Sequence, residues 1–124
     1  MKKLGFILIL LVFATAGMYA QEITFKTDTY NFGTINEGDS VSFEFTFTNT
    51  GKAPLILEDV TASCGCTTPY WPKQPIKPGQ SSKINATFRS EGKSGEQNKM
   101  ITIKSNATEP TKRIFFKGTV KAKQ

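Results

Sequence analysis

Cys64 and Cys66 are the only cysteines of this 124-residue chain, and they stand in the run Ser-Cys-Gly-Cys-Thr. On an extended strand their Cα atoms would be about 6.6 Å apart, near the upper limit for a disulfide, but Gly65 can bend the chain and bring them closer. A bridge between them would close a very small ring, so it would stabilise the fold little. We expect such a bridge to be more readily reduced than one across a long loop.

Three interpretations of this cysteine pair remain open. In the first interpretation, the cysteines are small buried hydrophobic residues or form a local bridge that shapes the loop at residues 61–72. Alternatively, they form a labile dithiol that exchanges with partner thiols, although the Cys-x-x-Cys spacing of thioredoxin-like enzymes is absent. In the third interpretation two thiolates bind Cu(I), a soft metal ion. We expect no cofactor, with Cu(I) at Cys64 and Cys66 as the alternative.

The chain contains no histidine. This absence excludes Ser-His-Asp and Cys-His catalysis, and a four-ligand zinc site would need carboxylates or a second molecule. The neighbouring carboxylates Glu58 and Asp59 are typical of a solvated surface. The sequence therefore does not predict an enzyme, leaving thiol–disulfide exchange as the open case.

An aromatic pair, Tyr70 and Trp71, follows the cysteines. If exposed, the pair would form a recognition patch, since loops and aromatic residues carry many binding contacts. In the alternative interpretation Trp71 covers the open end of the fold and shields both cysteines. The candidate binding residues are Cys64, Gly65, Cys66, Thr67, Tyr70 and Trp71.

The N-terminus has the three-part layout of a secretory signal peptide. Two lysines follow Met1, residues 4–13 form an apolar run, and small residues lead to Ala20. An apolar run of this length is too short to cross a bilayer as a helix. We expect a signal peptide at residues 1–20 and one domain at residues 21–124, with no transmembrane segment in the mature form.

The remaining sequence alternates between apolar and polar residues, which predicts strands with one buried face. Residues 40–48 show this most clearly, with four apolar side chains at every second position. The same rule places Leu55 and Leu57 on one face, and Ile56, Glu58 and Val60 on the other. The stretch at residues 23–32 is predicted as one less regular strand. About seven short strands separated by turns predict an immunoglobulin-like antiparallel β-sandwich.

Turns are predicted where Gly, Pro, Asn, Asp and Ser cluster. These are residues 33–39, 49–51, 69–79, 91–95 and 105–110. Pro78 and Gly79 favour a type II turn, in which the glycine takes a positive φ.

The formal net charge of +6 is spread along the chain without a dense basic block. Nucleic-acid binding is therefore not predicted. Residues 117–124 carry several lysines that could contact anionic lipid or glycan.

Several motifs resemble a family of small exported bacterial Ig-like domains that is catalogued as a domain of unknown function. They are Tyr-Asn-Phe-Gly-Thr-Ile at 30–35, Glu-Gly at 37–38, Phe-Thr-Asn-Thr-Gly at 47–51, Pro-Leu-Ile at 54–56, Ser-Cys-Gly-Cys-Thr at 63–67, Ile-Lys-Pro-Gly at 76–79 and Phe-Lys-Gly-Thr-Val at 116–120. The family is similar to Ig-like modules of ciliary hydin-type proteins, sperm proteins and periplasmic pilus chaperones. The resemblance implies a sandwich and a Gram-negative envelope, but no activity.

These features predict an exported, non-enzymatic binding or structural module in the periplasm or at the outer surface. Its expected partner is another envelope protein or a surface glycan. The alternative is a periplasmic thiol-redox or Cu(I)-handling protein that uses Cys64 and Cys66.

Overall fold

A computed structural model describes residues 21–123, so the predicted signal peptide lies outside the described residues. Among these residues, no helix is long and apolar enough to cross a membrane. The chain forms eight strands: β1 (Ile23–Phe25), β2 (Thr29–Asn36), β3 (Ser40–Asn49), β4 (Leu57–Ala62), β5 (Thr67–Tyr70), β6 (Ser81–Arg89), β7 (Gly95–Ser105) and β8 (Thr111–Lys121).

The strands form two four-stranded sheets, in the orders β1-β3-β6-β5 and β2-β8-β7-β4. We call these the first and the second sheet. All pairings are antiparallel except that of β2 with β8. This is the arrangement of an immunoglobulin-like sandwich, which confirms the predicted fold class. The predicted single strand at residues 23–32 is wrong, because β1 and β2 belong to different sheets.

The core lies between the sheets and follows the predicted alternation. Phe45, Phe47 and Phe88 of the first sheet and Ile101, Ile103, Ile114 and Phe116 of the second are fully buried. The ring centroids of Phe88 and Phe116 are 5.7 Å apart, which joins the two sheets. Each such side chain contributes about 1.5–3 kcal/mol on burial.

The predicted outward direction of Val60 is wrong, because its side chain is only 2% exposed. The register of β4 against β7 shifts between Leu57 and Asp59. This bulge adds a residue and reverses the alternation, so Leu57 and Val60 both face the core.

The predicted turns are shorter than expected where strands extend into them. Residues 33–36 belong to β2, and Pro69 and Tyr70 belong to β5. Gly33, with φ 76°, lies where the register of β2 against β8 shifts. The predicted glycine conformation at Gly79 is confirmed, with φ 80° and a Gln80 N–H that donates to Lys77 O at 3.0 Å.

Two local interactions, the hydrogen bonds of a buried asparagine and the contact of a ring with a glycine, constrain the packing of the sandwich. The side-chain amide of Asn49 is fully buried and donates to Ala53 O and Ile76 O, both at 2.8 Å. At the other edge, the ring of Phe32 lies directly over Gly118, in the space that a Cβ atom would fill. The chain thus needs a residue without a side chain at position 118.

Candidate functional site

The cysteine pair lies where the chain crosses from one sheet to the other. Strand β4 ends at Ala62 on the edge of the second sheet, and β5 begins at Thr67 on the edge of the first. Residues 63–66 make the crossing, and a disulfide joins Cys64 to Cys66. Their Cα atoms are 5.2 Å apart, closer than on an extended strand. We call residues 63–66 the cystine turn.

Thr67 supports the cystine turn from the inside. It is only 7% exposed, and its Oγ1 lies 3.7 Å from the Cys64 sulfur and 3.8 Å from the Cys66 sulfur. Its backbone N–H donates to Cys64 O at 3.3 Å. One buried residue therefore contacts both sulfurs and closes the turn.

Arg89, at the end of β6, holds the turn from the outside. Its backbone N–H donates to Cys66 O at 2.8 Å. Its guanidinium donates to Gly65 O and to Thr68 Oγ1, both at 3.0 Å. The planar, forked guanidinium thus ties the turn at Gly65 to β5 at Thr68. Nothing in the sequence signals this role of Arg89, because only the pairing of β5 with β6 brings it to the turn.

The open edge of β5 offers no backbone donor to a further strand. Thr68 pairs with Thr87, and Tyr70 pairs with Asn85. The Arg89 N–H donates to Cys66 O, and in an antiparallel pair every second residue bonds its partner, so the backbone groups of Thr68 and Tyr70 also face β6. The backbone groups of Thr67 and Pro69 therefore point away from β6. The Thr67 N–H is used within the turn, and Pro69 has none. At this edge the backbone can accept hydrogen bonds from a partner but cannot donate any, so a complete two-way strand ladder cannot form.

The aromatic pair is split between two environments. Tyr70 is 72% exposed on the outer face of the first sheet. Trp71 is half-buried against the core, and its Nε1 is buried without a hydrogen-bond partner. The Lys73 ammonium lies 2.9 Å from the centroid of the Trp71 ring. Tyr70 is thus available for contacts, whereas the core and Lys73 together cover Trp71.

Five of the six candidate residues lie on the cystine turn and β5, and the sixth, Trp71, directly follows β5. The first interpretation offered either buried free cysteines or a local bridge, and the structure contains the local bridge. The predicted loop at residues 61–72 is wrong at two places, because residues 61–62 end β4 and Thr67–Tyr70 forms β5. Cu(I) binding requires prior reduction of the bridge, whereas exchange can begin when a partner thiolate attacks the bridge. Both stay predictions. Within residues 21–123, no three His, Cys, Asp or Glu side chains form a group that could hold a metal ion.

Comparison with known proteins gives a family and a fold. A family model described as "Protein of unknown function (DUF1573)" matches residues 23–120. A comparison with curated protein sequences finds no match.

Several solved structures share the fold. A protein of unknown function from Porphyromonas gingivalis W83 has a TM-score of 0.72 and 23% identity, over 84% of this chain and 50% of that one. This chain thus spans half the length of that protein. The PapD-like domain 7 of human CEP192 has a TM-score of 0.68 and 9% identity, over 85% and 89% of the two chains. The Escherichia coli chaperone DraB has a TM-score of 0.56 and 14% identity, over 82% and 56%. At these identities the similarity shows the fold alone.

Proposed function

We propose that this chain, which belongs to the DUF1573 family of proteins of unknown function, is an exported, non-enzymatic Ig-like module of a bacterial cell envelope. Its function is to bind another envelope protein through the cystine turn and Tyr70. The observation that carries the proposal is the 72% exposure of Tyr70 at the end of the short strand that follows a turn fixed from both sides.

The rigidity of the turn supports binding. The disulfide, Thr67 and Arg89 hold the backbone before a partner arrives, so little conformational entropy is lost on association. A tyrosine supplies a large contact area with few rotatable bonds and a hydroxyl that can hydrogen-bond, and tyrosines are frequent among residues that dominate binding energy. The cystine turn and Tyr70 together form a small preorganised contact surface.

A protein is the favoured partner. The chain shares its fold with the chaperone DraB, and partners of that class are proteins. Because the edge of β5 offers backbone acceptors but no donors, regular strand addition is disfavoured there, and recognition would rely mainly on side chains. Export rests on the pattern of residues 1–20, and a non-enzymatic role rests on the absence of histidine from the chain.

Site-specific photo-crosslinking in cells tests the proposal. A photoreactive phenylalanine analogue replaces Tyr70, and in a matched variant it replaces Lys26, an exposed residue beyond β1 at the opposite edge of the same sheet. We expect adducts with one defined envelope protein from position 70 and not from position 26. Equal adducts from both positions, or none from position 70, would contradict the proposed surface. A carbohydrate adduct would identify a glycan as the partner instead.

The second candidate function is thiol-redox or Cu(I) handling. Thr67 favours it, because a hydroxyl within 3.8 Å of both sulfurs can donate to a thiolate once the bridge opens. Thiol titration under native conditions, with and without a mild dithiol reductant, tests this function. Rapid appearance of two reactive thiols supports it, and a bridge that opens only on unfolding refutes it. Cu(I) titration of the reduced protein and of the Cys64→Ser, Cys66→Ser variant then separates metal binding from exchange.

A further inference from the structure

The two sulfurs of the cystine turn have different surroundings. Both cysteines are half-buried, but Cys66 is packed against the hydrophobic core, as is Trp71, whereas Cys64 is not. A thiolate opens a disulfide by attacking one sulfur and expelling the other, so access to each sulfur helps to decide which one is attacked. The bridge is therefore more open to attack at Cys64 than at Cys66.

The backbone hydrogen bonds of the turn show the same asymmetry. The Ser63 N–H donates to a carbonyl of β7 at 2.8 Å, which ties the start of the turn to the second sheet. Cys66 O accepts from the Arg89 N–H at 2.8 Å, which ties the end of the turn to the first sheet. Within residues 21–123, the one backbone hydrogen bond of Cys64 is local, from the Thr67 N–H to Cys64 O at 3.3 Å. Cys64 can therefore move outward without breaking a bond between the strands of either sheet.

We propose that the cystine turn exchanges thiols in one direction: a partner thiolate attacks the Cys64 sulfur, and Cys66 is the leaving group. This one-sided exchange rests on the second candidate function and names the sulfur that carries the partner. A bond forms between the partner sulfur and the Cys64 sulfur, the bond between the two cysteines breaks, and its electron pair remains on Cys66 as a thiolate. The partner sulfur is oxidised and the Cys66 sulfur is reduced, so the step needs no further reactant.

The surroundings of Cys66 stabilise a leaving thiolate. The Thr67 hydroxyl lies 3.8 Å from the Cys66 sulfur and can donate to it once the bridge opens. The Arg89 guanidinium donates to Gly65 O at 3.0 Å, which places a positive charge beside the turn. Because the same hydroxyl is 3.7 Å from the Cys64 sulfur, access to the sulfurs sets the direction, and these two polar groups make the departure of Cys66 easier.

The position of the mixed disulfide gives a second reason for this direction. At Cys64 the attached partner would project from a turn whose neighbouring residues, Ser63 and Gly65, are exposed. At Cys66 it would have to displace side chains of the core, and forcing extra atoms into a packed core is destabilising. We expect the adduct at Cys64 to exceed the adduct at Cys66 by about tenfold or more.

Mapping the mixed disulfide tests the inference. Oxidised wild-type protein reacts briefly with reduced glutathione, acid stops the reaction, and N-ethylmaleimide then labels the remaining thiol in unfolded protein. Fragmentation mass spectrometry assigns each label, because Gly65 separates the two cysteines. We expect glutathione on Cys64 and maleimide on Cys66. Exchange that places glutathione equally on both cysteines, or mainly on Cys66, overturns the inference alone. If glutathione liberates no thiol from the native protein, the second candidate function is refuted and the inference falls with it.

Two single-cysteine variants measure access to each sulfur without a bridge that can re-form. Cys66→Ser keeps only the Cys64 thiol, and Cys64→Ser keeps only the Cys66 thiol. The rate of each thiol with an aromatic disulfide reagent is measured in native and in unfolded protein, and circular dichroism checks that both variants are folded. The ratio of native to unfolded rate should be about tenfold or more higher for Cys64 than for Cys66. Equal ratios, or a higher ratio for Cys66, would overturn the inference.

Discussion

Replacing both cysteines by serine should leave the domain folded and only modestly less stable. The disulfide joins residues two apart in sequence. For so small a ring, the loss of chain entropy in the unfolded state corresponds to about 1.5 kcal/mol at 25 °C. A domain of this size has a total stability of about 5–15 kcal/mol, so the variant remains folded. Its melting temperature should fall by about 5–10 °C.

Urea unfolding followed by tryptophan fluorescence measures this change, because Trp71, the only tryptophan, is half-buried. Wild-type protein reduced with a dithiol is the matched control, and it should unfold at the same urea concentration as the double variant. If the variant fails to fold, or loses more than about 3 kcal/mol, the bridge is a structural staple. The description of the turn as a local shaping element would then be refuted.

Three further predictions concern residues that the sheets bring together. Asn49→Ala should destabilise the domain by about 3 kcal/mol, because it leaves the Ala53 carbonyl and the Gly51 N–H without their partner and removes one of the two donors to the Ile76 carbonyl. The exposed Asn85→Ala should change stability by no more than about 0.5 kcal/mol in the same urea experiment, and equal effects would refute the role of Asn49. Gly118→Ala should cost about 1–3 kcal/mol because its Cβ displaces the Phe32 ring. Adding Phe32→Leu should recover part of that loss, and no recovery would contradict the packing. Arg89→Lys should keep the backbone bond to Cys66 but lose the fork to Gly65 and Thr68. Amide exchange at Thr67 and Thr68 should then accelerate while exchange in β8 stays unchanged, and a uniform change would show general destabilisation instead.

The sequence predicts the sandwich well because most strands have one buried face. Each of β3, β6 and β8 alternates without interruption, so its inward residues could be identified before the structure. The bulge in β4 leaves no mark in the sequence: Glu58 and Asp59 are both polar, and only the pairing with β7 shows the extra residue. Nothing in the pattern of residues 23–32 signals the change of sheet between β1 and β2, so the sequence predicts one strand there.

The site was predictable where its residues are adjacent in sequence. The cysteines, Thr67 and Tyr70 lie within seven residues and share one turn and one strand. Arg89 was missed because its contact with Gly65 spans 24 residues and depends on the register of β5 against β6.

The central claim is that the module is exported and acts with its cystine turn closed. The intact mass of the protein, isolated from an envelope fraction under conditions that trap free thiols, tests this claim most directly. We predict a chain that begins at Gln21, carries no thiol adduct, and is lighter than its reduced form by the hydrogens of both thiols. A chain that retains Met1, or that carries thiol adducts on Cys64 and Cys66, would contradict the account.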